Sequence, residues 1–482
     1  MVHRTALFCY LLTATLCAQT PARQRVLDEF IEFLKIPNTA NDPASLRRNA
    51  EWIRTAFNKR GVQTTLLEAP GVAPLVFGQL NVEGARQTIV FYAHYDGQPV
   101  DPRQWQGSAP FEPSLRGASA DSPDARLYAR SASDDKAPIM AMLAALDTLR
   151  ASGRSPSVNI KFVFESEEEA GSTNLGSLLT RYRAQLQSNF WLICDGPVHQ
   201  TRRMQIYFGA RGITGFQLTV YGPKRELHSG HYGNWAPNPA MNLARLLASM
   251  KDDEGRVQIQ GFYDGIAPLS EVEIAAMKAE PAVDGELQRE LWIGRTENSP
   301  RRLIEVLNQP SFNVRGLASG AVGDASRNVV PASATASIDI RLVKGNDPAH
   351  MLDLVRAHIR GLGYLLVEDR EPTEAERLRS PKVARLDANE HGYRAVRTPM
   401  DLPVSLQVIA AVEAVHGPVI KMPTLGGSVP LAMIEDALGV PMIGIPIVNH
   451  DNNQHSHNEN LRLENLWQGI STFAGLFTMP AR

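Results

Sequence analysis

The chain has 482 residues, a formal net charge of −2 and a sequence pI near 6.7. This length exceeds one ordinary domain, so we expect two or three domains. Hydrophobic residues make up 43% of the chain, which is enough to build real cores. Because the net charge is small and negative, no basic field is available for nucleic acid, and we expect no such partner.

The first 20 residues have the pattern of a secretory signal peptide. A short positive region precedes residues 5–17, which are mostly apolar or small. This run is too short to cross a bilayer, so we expect residues 1–20 to be a signal peptide and the mature chain to have no membrane span. The expected location is therefore periplasmic or secreted, with lipidation of Cys17 as an open alternative. Cys194 would then remain alone, which excludes a disulfide framework.

Between Gln24 and Leu80 the sequence predicts helices and two short strands. The candidate catalytic and metal-binding residues come after this segment. Four later apolar runs are each followed by acidic or histidine side chains. The runs are 88–92, 160–164, 190–194 and 441–447, and the polar residues after them include His94, Asp96, Glu165, Glu167, Glu168, Glu169, Asp195 and His455. Such runs are typical of strands buried on both faces of a parallel sheet under helices, where ligands bind beyond the carboxyl ends.

The acids that follow residues 160–164 occupy four of five positions and repel one another unless a cation lies among them. Asp134 and Asp135 precede a predicted helix, where capping is the alternative to metal binding. Asp96 lies two residues from His94 and can orient its ring. Oxygen and imidazole ligands without thiolate favour Zn, Mn or Co, and two such ions can share one water and lower its pKa.

The pattern changes between residues 209 and 394. Residues 213–221 and 336–342 alternate between polar and apolar side chains, which is typical of antiparallel strands with one wet face. Predicted helices at 239–250 and 348–362 supply a second layer.

The expected fold class is therefore α/β. Residues 21–208 and 395–482 would form a catalytic domain with a mostly parallel central sheet flanked by helices. Residues 209–394 would form an inserted two-layer α/β domain, with a charged helical excursion at 270–302 as scaffold.

Taken together, the motifs resemble the di-zinc metallopeptidase family of carnosinase, carboxypeptidase G and aminoacylase, and especially its carnosinase-like dipeptidase branch. The similarity extends over nearly the whole mature chain. The motifs that carry it are His94-x-Asp96, Ser133-Asp134-Asp135-Lys136, Glu168-Glu169-Ala170-Gly171-Ser172, Asp195 and His455-Ser456-His457-Asn458-Glu459. The family often has Gly at three positions around Asp134 where this chain has Ala129, Ser131 and Ala137, so the loop shape is expected to differ slightly.

The resemblance implies a role for each matching position. One metal would be bound by His94 and Asp195, and the other by Glu169 and His455. Asp134 would bridge both metals, and its peptide bond to Asp135 would be cis. Asp96 would orient His94, and Glu168 would be the general base. Glu165 and Glu167 remain as extra acids, solvated or supporting.

The resemblance also implies residues that contact the substrate. His228, in Glu226-Leu227-His228-Ser229-Gly230, would steady the oxyanion, in some members across a dimer. Asn328 and Arg341 would hold the substrate's backbone and carboxylate, and a tight loop with Gly427 and Ser428 would bind its C-terminal carboxylate. The alternatives are a surface histidine, a structural salt bridge and a plain turn. The inserted domain would serve as a lid and as the interface of a homodimer.

We therefore expect a metal-dependent exopeptidase that hydrolyses dipeptides at the amide bond next to a free carboxylate. It would use a metal-bridging hydroxide and two divalent ions, with Zn favoured and Mn or Co as alternatives. An amidohydrolase of the same fold, acting on N-acyl amino acids or carbamoyl compounds, is the main alternative. A non-catalytic periplasmic binding protein is disfavoured, because Glu168 and every expected ligand are present.

Overall fold

The computed structural model describes residues 22–117, 122–389 and 392–480. Its strands, in chain order, are β1 (Gln63–Leu67), β2 (Leu75–Leu80), β3 (Thr88–His94), β4 (Ser114–Arg116), β5 (Arg126–Tyr128), β6 (Asn159–Glu165), β7 (Phe190–Ile193), β8 (Gln205–Tyr207), β9 (Gly209–Ala210), β10 (Gly212–Tyr221), β11 (Leu227–His228), β12 (Ser311–Ala318), β13 (Val329–Val330), β14 (Ser333–Leu342), β15 (Leu365–Glu368), β16 (Val383–Ala388), β17 (Val396–Arg397), β18 (Ile420–Met422), β19 (Met442–Gly444) and β20 (Asn460–Arg462).

The first helix, α1, covers residues 22–34. The helices that follow are α2 (Pro43–Asn58), α3 (Lys136–Ala151), α4 (Leu175–Arg181), α5 (Ser229–Tyr232), α6 (Pro239–Met250), α7 (Glu271–Ala279), α8 (Asp284–Glu290), α9 (Leu303–Val306), α10 (Pro348–Gly361), α11 (Glu374–Arg379), α12 (Pro403–His416), α13 (Leu431–Leu438) and α14 (Leu463–Phe477). Short 3₁₀ turns lie at Pro102–Gln104, Glu168–Ala170 and Gly323–Ala325.

The larger sheet has eight strands in the order β1-β2-β6-β3-β7-β19-β8-β18. Its centre, β6-β3-β7-β19, is parallel, so the carboxyl ends of these four strands meet at one edge. Antiparallel pairs join β1, β2 and β6 on one side and β19 to β8 on the other. This arrangement confirms the predicted mostly parallel central sheet.

Each central strand is buried on both faces, as its unbroken apolar run predicts. In β3, Ile89 and Phe91 pack into one core with α2, α3 and α14, whereas Val90 and Tyr92 pack into a second core with α4 and α13. Helices on both faces hold the sheet rigidly, which fixes the direction in which its strand ends point.

A small three-stranded sheet, in the order β20-β5-β4, joins two loops that are far apart in the sequence. In the β5–β20 pair, Tyr128 lies opposite Asn460. The loop after β5 leads to Asp134, and the loop before β20 carries His455, so this antiparallel pair brings the two residues to the same place.

The second domain-sized unit contains the five-stranded sheet β12-β14-β10-β16-β15, with α6 and α10 packed on it. The hydrophobic core of this unit contains Phe216, Leu246, Ile338 and Val355. The chain enters and leaves this region through the pair β9–β17, in which Gly209 lies opposite Arg397. The two layers agree with the predicted fold class of the insertion.

The charged excursion after Ser270 does not pack on the second sheet alone. Met277 on α7 and Ile304 on α9 join the core of the larger sheet, and Glu273 forms a buried ion pair with Arg397 at the domain connection. The excursion therefore links the two regions.

The predicted signal peptide, residues 1–20, lies outside the described residues. Within the described ranges, no helix combines the length and the apolarity needed to cross a membrane.

Candidate metal centre

The carboxyl ends of β3 and β7 form a buried group that we call the inner half-site, His94 and Asp195. The Nε2 atom of His94 lies 4.0 Å from Oδ2 of Asp195, and both residues are buried. His94 is the last residue of β3, and Asp195 follows β7 by two positions. The parallel register therefore places these two donors side by side, as the sequence predicts.

The outer half-site consists of Glu169 and His455. Nε2 of His455 lies 3.3 Å from Oε2 of Glu169, and Gln98 donates a hydrogen bond to that same oxygen at 2.7 Å. Unlike His94, whose side chain is fully buried, His455 has a side chain 54% exposed. It comes from a loop rather than a strand end.

Asp134 joins the two half-sites. Its Oδ1 lies 3.0 Å from Nε2 of His94, and its Oδ2 lies 3.2 Å from Nε2 of His455. Each carboxylate oxygen thus faces a different half-site, which is the arrangement that a bridging ligand needs. The peptide bond between Asp134 and Asp135 is cis, as expected.

Asp96 supports both half-sites from behind. One of its oxygens lies 3.3 Å from Nδ1 of His94, on the side of the ring away from Asp134. Its carboxylate also accepts the backbone N–H groups of Glu168 at 3.2 Å and Glu169 at 2.9 Å. Asp96 therefore orients an imidazole and fixes the turn that carries Glu169, as second partners of metal ligands do.

Glu459 braces the loop that carries Asp134. Its carboxylate, fully buried, accepts hydrogen bonds from the backbone N–H groups of Ser131, Ser133 and Asp134 at 2.8 to 2.9 Å. Arg130 donates to it at 2.8 Å and neutralises its charge. Ser131, where the family often has Gly, adopts a left-handed φ of 60° and still donates to Glu459. The departure therefore leaves the brace in place.

Burial and mutual repulsion dominate the electrostatics of the acids. Burial, followed by repulsion from Asp134, raises the pKa of Asp195 to about 6 and that of Glu169 to about 8. A hydrogen bond to Asp134 raises the pKa of His455 to about 9. For Asp134 itself, burial acts to raise the pKa, but hydrogen bonds from His455 and His94 outweigh it and hold the pKa low.

These donors fit a pair of divalent cations. Two groups, one of His94, Asp134 and Asp195 and one of Asp134, Glu169 and His455, each have ligand atoms within 4.8 Å of one another. Imidazole and carboxylate donors suit Zn, Mn or Co. Two cations would also offset the repulsion among the buried acids.

Glu168 lies beside the metal donors, in the turn that Asp96 holds. Burial is the largest cause that raises its pKa, and repulsion from Asp195 and Glu169 adds to the effect. The other acids of this segment differ from it: Glu167 accepts hydrogen bonds from Asn174, and buried Glu165 accepts one from Tyr92 at 2.5 Å. Glu165 and Glu167 were expected to be either solvated or supporting, and burial with a hydrogen bond from Tyr92 fits a supporting role for Glu165.

Arg341 and Ser428 meet between the two sheets. Nη1 of Arg341, on β14, donates to Oγ of Ser428 at 2.7 Å, although the two residues are 87 positions apart. Nε of Arg341 also lies 3.3 Å from Oδ2 of Asp339. The structural salt bridge that was the alternative role for Arg341 is therefore present as well. Gly427 adjoins Ser428, and its carbonyl accepts the backbone N–H of Arg211 at 3.3 Å.

His228 and Asn328 lie together on a separate ribbon, β11–β13, beside the second sheet. His228 lies opposite Val329, and the Asn328 carbonyl accepts the N–H of Ser229 at 2.9 Å. The His228 side chain accepts the N–H of Gly230, and its exposed ring lies 4.6 Å from that of His231. In the described part of the chain, no hydrogen bond or ion pair joins either residue to the metal donors.

Three residues that the structure places near the site were not predicted from the sequence. Gln98 donates a hydrogen bond to Glu169. A hydrogen bond with Ser428 and the charge of Glu168 both act on the pKa of Tyr393. Buried Arg211 lies close enough to Arg341 for the two charges to repel. Gln98 had a signal, because it follows the His94-x-Asp96 strand end by two positions. Tyr393 and Arg211 had none, since they lie at the two ends of the inserted region, outside the motifs.

Comparison with known proteins agrees with this geometry. The model of peptidase family M20/M25/M40 matches residues 90–478. The Cys-Gly metallodipeptidase DUG1 of Saccharomyces cerevisiae is 25% identical over 428 residues, covering 86% of this chain and 84% of the relative. The Beta-Ala-His dipeptidase of Mus musculus is 28% identical over 298 residues, covering 60% of this chain and 58% of the relative.

Among solved structures, the M20 family metallo-carboxypeptidase Sso-CP2 of Sulfolobus solfataricus has a TM-score of 0.78 and 28% identity. The match covers 94% of this chain and 98% of that one. The predicted α/β fold with a lid is therefore confirmed.

The comparisons overturn the prediction of an exported protein. The matching relatives include the Cys-Gly metallodipeptidases of three yeasts, and this similarity does not support export. An apolar, small-residue stretch after two positive residues is a weak signal, because a sequence pattern alone does not show that it is used for targeting.

The family has a dinuclear metal centre, and the donors around Asp134 match that property. The matched segment extends from β3, which ends in His94, through α14, and so includes every expected ligand. The predicted metallopeptidase is confirmed: the chain belongs to peptidase family M20/M25/M40.

Proposed function

We propose that this protein is a metal-dependent exopeptidase that hydrolyses dipeptides at the amide bond next to a free carboxylate. The observation that carries the proposal is the meeting of two half-sites on Asp134, with the Arg341–Ser428 pair on the side of the second sheet. The dipeptidase names of the relatives support it.

One ion would be held by His94 and Asp195 and the other by Glu169 and His455, with Asp134 shared between them. When bound, two divalent ions supply Lewis acidity and lower the pKa of an attacking water. The donor set favours Zn, with Mn and Co as alternatives.

Glu168 acts as the general base. It adjoins the ligand Glu169, yet in the described residues it is not one of the grouped metal donors, so its carboxylate is free to accept a proton. Burial that raises its pKa suits a group that takes a proton from water and returns it to the leaving amine. Asp96 positions Glu168 by accepting its backbone N–H.

Arg341, Ser428 and the backbone at Gly427 bind the substrate's C-terminal carboxylate. The guanidinium is one-third exposed and can form two parallel hydrogen bonds to a carboxylate. His228 and Asn328 contribute from the ribbon, where His228 steadies the negative charge that develops on the carbonyl oxygen.

Residues 209–394 act as a lid on a catalytic domain formed by residues 21–208 and 395–482, and two lids form a homodimer. In support of this, the edge strand β12 exposes Val314 and Leu317 at 39% and 61%. An exposed apolar edge favours pairing with a second chain. Sedimentation of the full chain should give twice the monomer mass; a monomer at micromolar concentration would contradict the dimer.

The decisive test loads the full chain with Zn, Mn or Co in turn and offers dipeptides beside N-acetyl and N-carbamoyl amino acids. We expect cleavage of dipeptides. Turnover of the acylated compounds alone would instead identify an amidohydrolase of the same fold.

Replacement of the base sharpens this test. Glu168→Gln should lower kcat about 10²- to 10⁴-fold while two ions per chain remain bound. Glu167→Gln is the matched control, because its amide can still accept from Asn174 and the rate should stay close to that of the unmodified protein. Full activity of Glu168→Gln would exclude Glu168 as the base.

A further inference from the structure

A cavity of about 390 Å³ opens next to the outer half-site. Residues 99–101, 104 and 105, in the loop after β3, form one wall, and residues 455–457 form the other, with Arg130 also lining the cavity. His455 therefore belongs both to the candidate metal centre and to the cavity wall. The volume lies within the range of about 300–1,000 Å³ that is usual for small-molecule sites.

The candidate metal centre has two ends, and the proposed carboxylate-binding loop lies at one of them. A side chain added at Gly196, next to Asp195, would lie 3.5 Å from Leu425, so the inner half-site adjoins the loop that carries Gly427 and Ser428. Tyr393 lies near both this end and Glu168, since a hydrogen bond with Ser428 and the charge of Glu168 both act on its pKa.

The cavity lies at the opposite end. Gln98 donates to Glu169 of the outer half-site, and Pro99 and Val100 continue directly from it into the cavity wall. A dipeptide has one scissile carbonyl, which must lie over Asp134 for the reaction. With its carboxylate at Arg341, its amino-terminal residue therefore extends past His455 toward the cavity.

The chemistry of the walls indicates what enters. Pro99, Val100 and Trp105 supply apolar surface, and the Arg130 guanidinium lies 5.6 Å from the Trp105 ring centroid. The Arg130 and Asp101 side chains at the walls are already paired, Arg130 with Glu459 at 2.8 Å and Asp101 with Arg103 at 2.8 Å. A large uncharged side chain gains burial here, whereas a charged one would lose hydration without an unpaired partner among these groups.

We propose that this cavity is the subsite for the first side chain of the substrate, and that the enzyme selects dipeptides whose amino-terminal residue is bulky and uncharged. The inference rests on the proposed dipeptidase function. It deepens that function by naming the preferred substrate class and the residues that set it.

The test holds the second residue constant and compares Gly-Gly, Leu-Gly, Phe-Gly and Glu-Gly on the metal-loaded full chain. We expect kcat/KM for Leu-Gly and Phe-Gly to exceed that for Gly-Gly at least about tenfold, from burial of the side chain, with Glu-Gly well below them. Equal values for all four would overturn the subsite while leaving dipeptidase activity intact. Cleavage of N-acyl compounds alone would instead overturn the proposed function, and the subsite with it.

A cavity-filling variant separates the subsite from a general effect of substrate hydrophobicity. Val100→Trp should reduce the ratio of kcat/KM for Phe-Gly to that for Gly-Gly at least about tenfold, mainly through KM for Phe-Gly. Val272→Trp, at a position 45% exposed on α7, is the control and should keep the original ratio. An unchanged ratio in a folded Val100→Trp protein would overturn the proposal, and the substrate series on the unmodified protein remains decisive if that variant does not fold.

Discussion

The two half-sites share one bridging residue and the same donor chemistry, but they are built differently. The inner half-site comes from two adjacent parallel strand ends, and its histidine is fully buried against Asp96. The outer half-site combines a 3₁₀ turn with a loop, and its histidine is half exposed beside a cavity. The difference teaches that the sheet preorganises one set of donors rigidly, whereas loops place the other set at an open cavity, where a proposed second ion would face the substrate.

The largest expected effect comes from removing what the half-sites share. Asp134→Asn replaces one of two ligand oxygens with an amide nitrogen, so one half-site loses its bridging donor. We expect kcat/KM to fall at least about 10³-fold and the metal content to drop below two ions per chain, measured by atomic emission. Asp253→Asn, at an exposed position, is the control; two bound ions in Asp134→Asn would contradict the bridging role.

The next comparison separates the half-sites directly. His455→Ala should leave one ion on the inner half-site, whereas His94→Ala should also lower the free energy of unfolding, because buried Asp134 and Asp195 lose their partner. In the unmodified protein, competition with a chelator should remove one ion before the other, and His455→Ala should abolish the easily removed fraction. Loss of the tightly held ion in His455→Ala would reverse the assignment.

A smaller effect is expected from the residue behind both half-sites. Asp96→Asn retains one acceptor oxygen but loses the charge that faces His94 and one of two acceptors for the turn at Glu168 and Glu169. Loss of a residue that hydrogen-bonds to metal ligands typically lowers metal affinity or activity about 10- to 100-fold, so kcat/KM should fall by that factor. Spectra of the Co-loaded protein should change with it. An unaltered spectrum together with unaltered kinetics would show that Asp96 positions neither half-site.

The smallest effect concerns the pH dependence of the metal-free protein. The folded pKa values of Asp195, Glu169 and His455 are raised to about 6, 8 and 9, so their contribution to stability is present at low pH and is lost as the pH rises through these values. With chelator present, Tm should fall by at least about 2 °C between pH 5 and pH 9. Added metal should raise Tm most at the alkaline end, because the donors are then deprotonated. A Tm that rises with pH in the presence of chelator would contradict the raised pKa values.

Much of the inner half-site could be predicted from the sequence, because its information is local. An apolar run that ends in His94 or precedes Asp195 indicates a buried strand and a donor at its carboxyl end, and parallel pairing then places both donors together. The motif around Glu168 and Glu169 was equally visible. Tyr393 and the Arg341–Ser428 contact were different, since they depend on how two sheets are placed relative to each other.

The sequence by itself determined the fold class and the family, and it marked the candidate donor residues and the candidate base, because side-chain periodicity and motif spacing are properties of short segments. Only the tertiary structure decided which oxygen of Asp134 faces which histidine, how exposed His455 is, and that a cavity adjoins it. The physical reason is that these features arise where β5 pairs with β20 and where the loops after β3 and β19 pack together. Such contacts join segments hundreds of residues apart, and no local pattern specifies them.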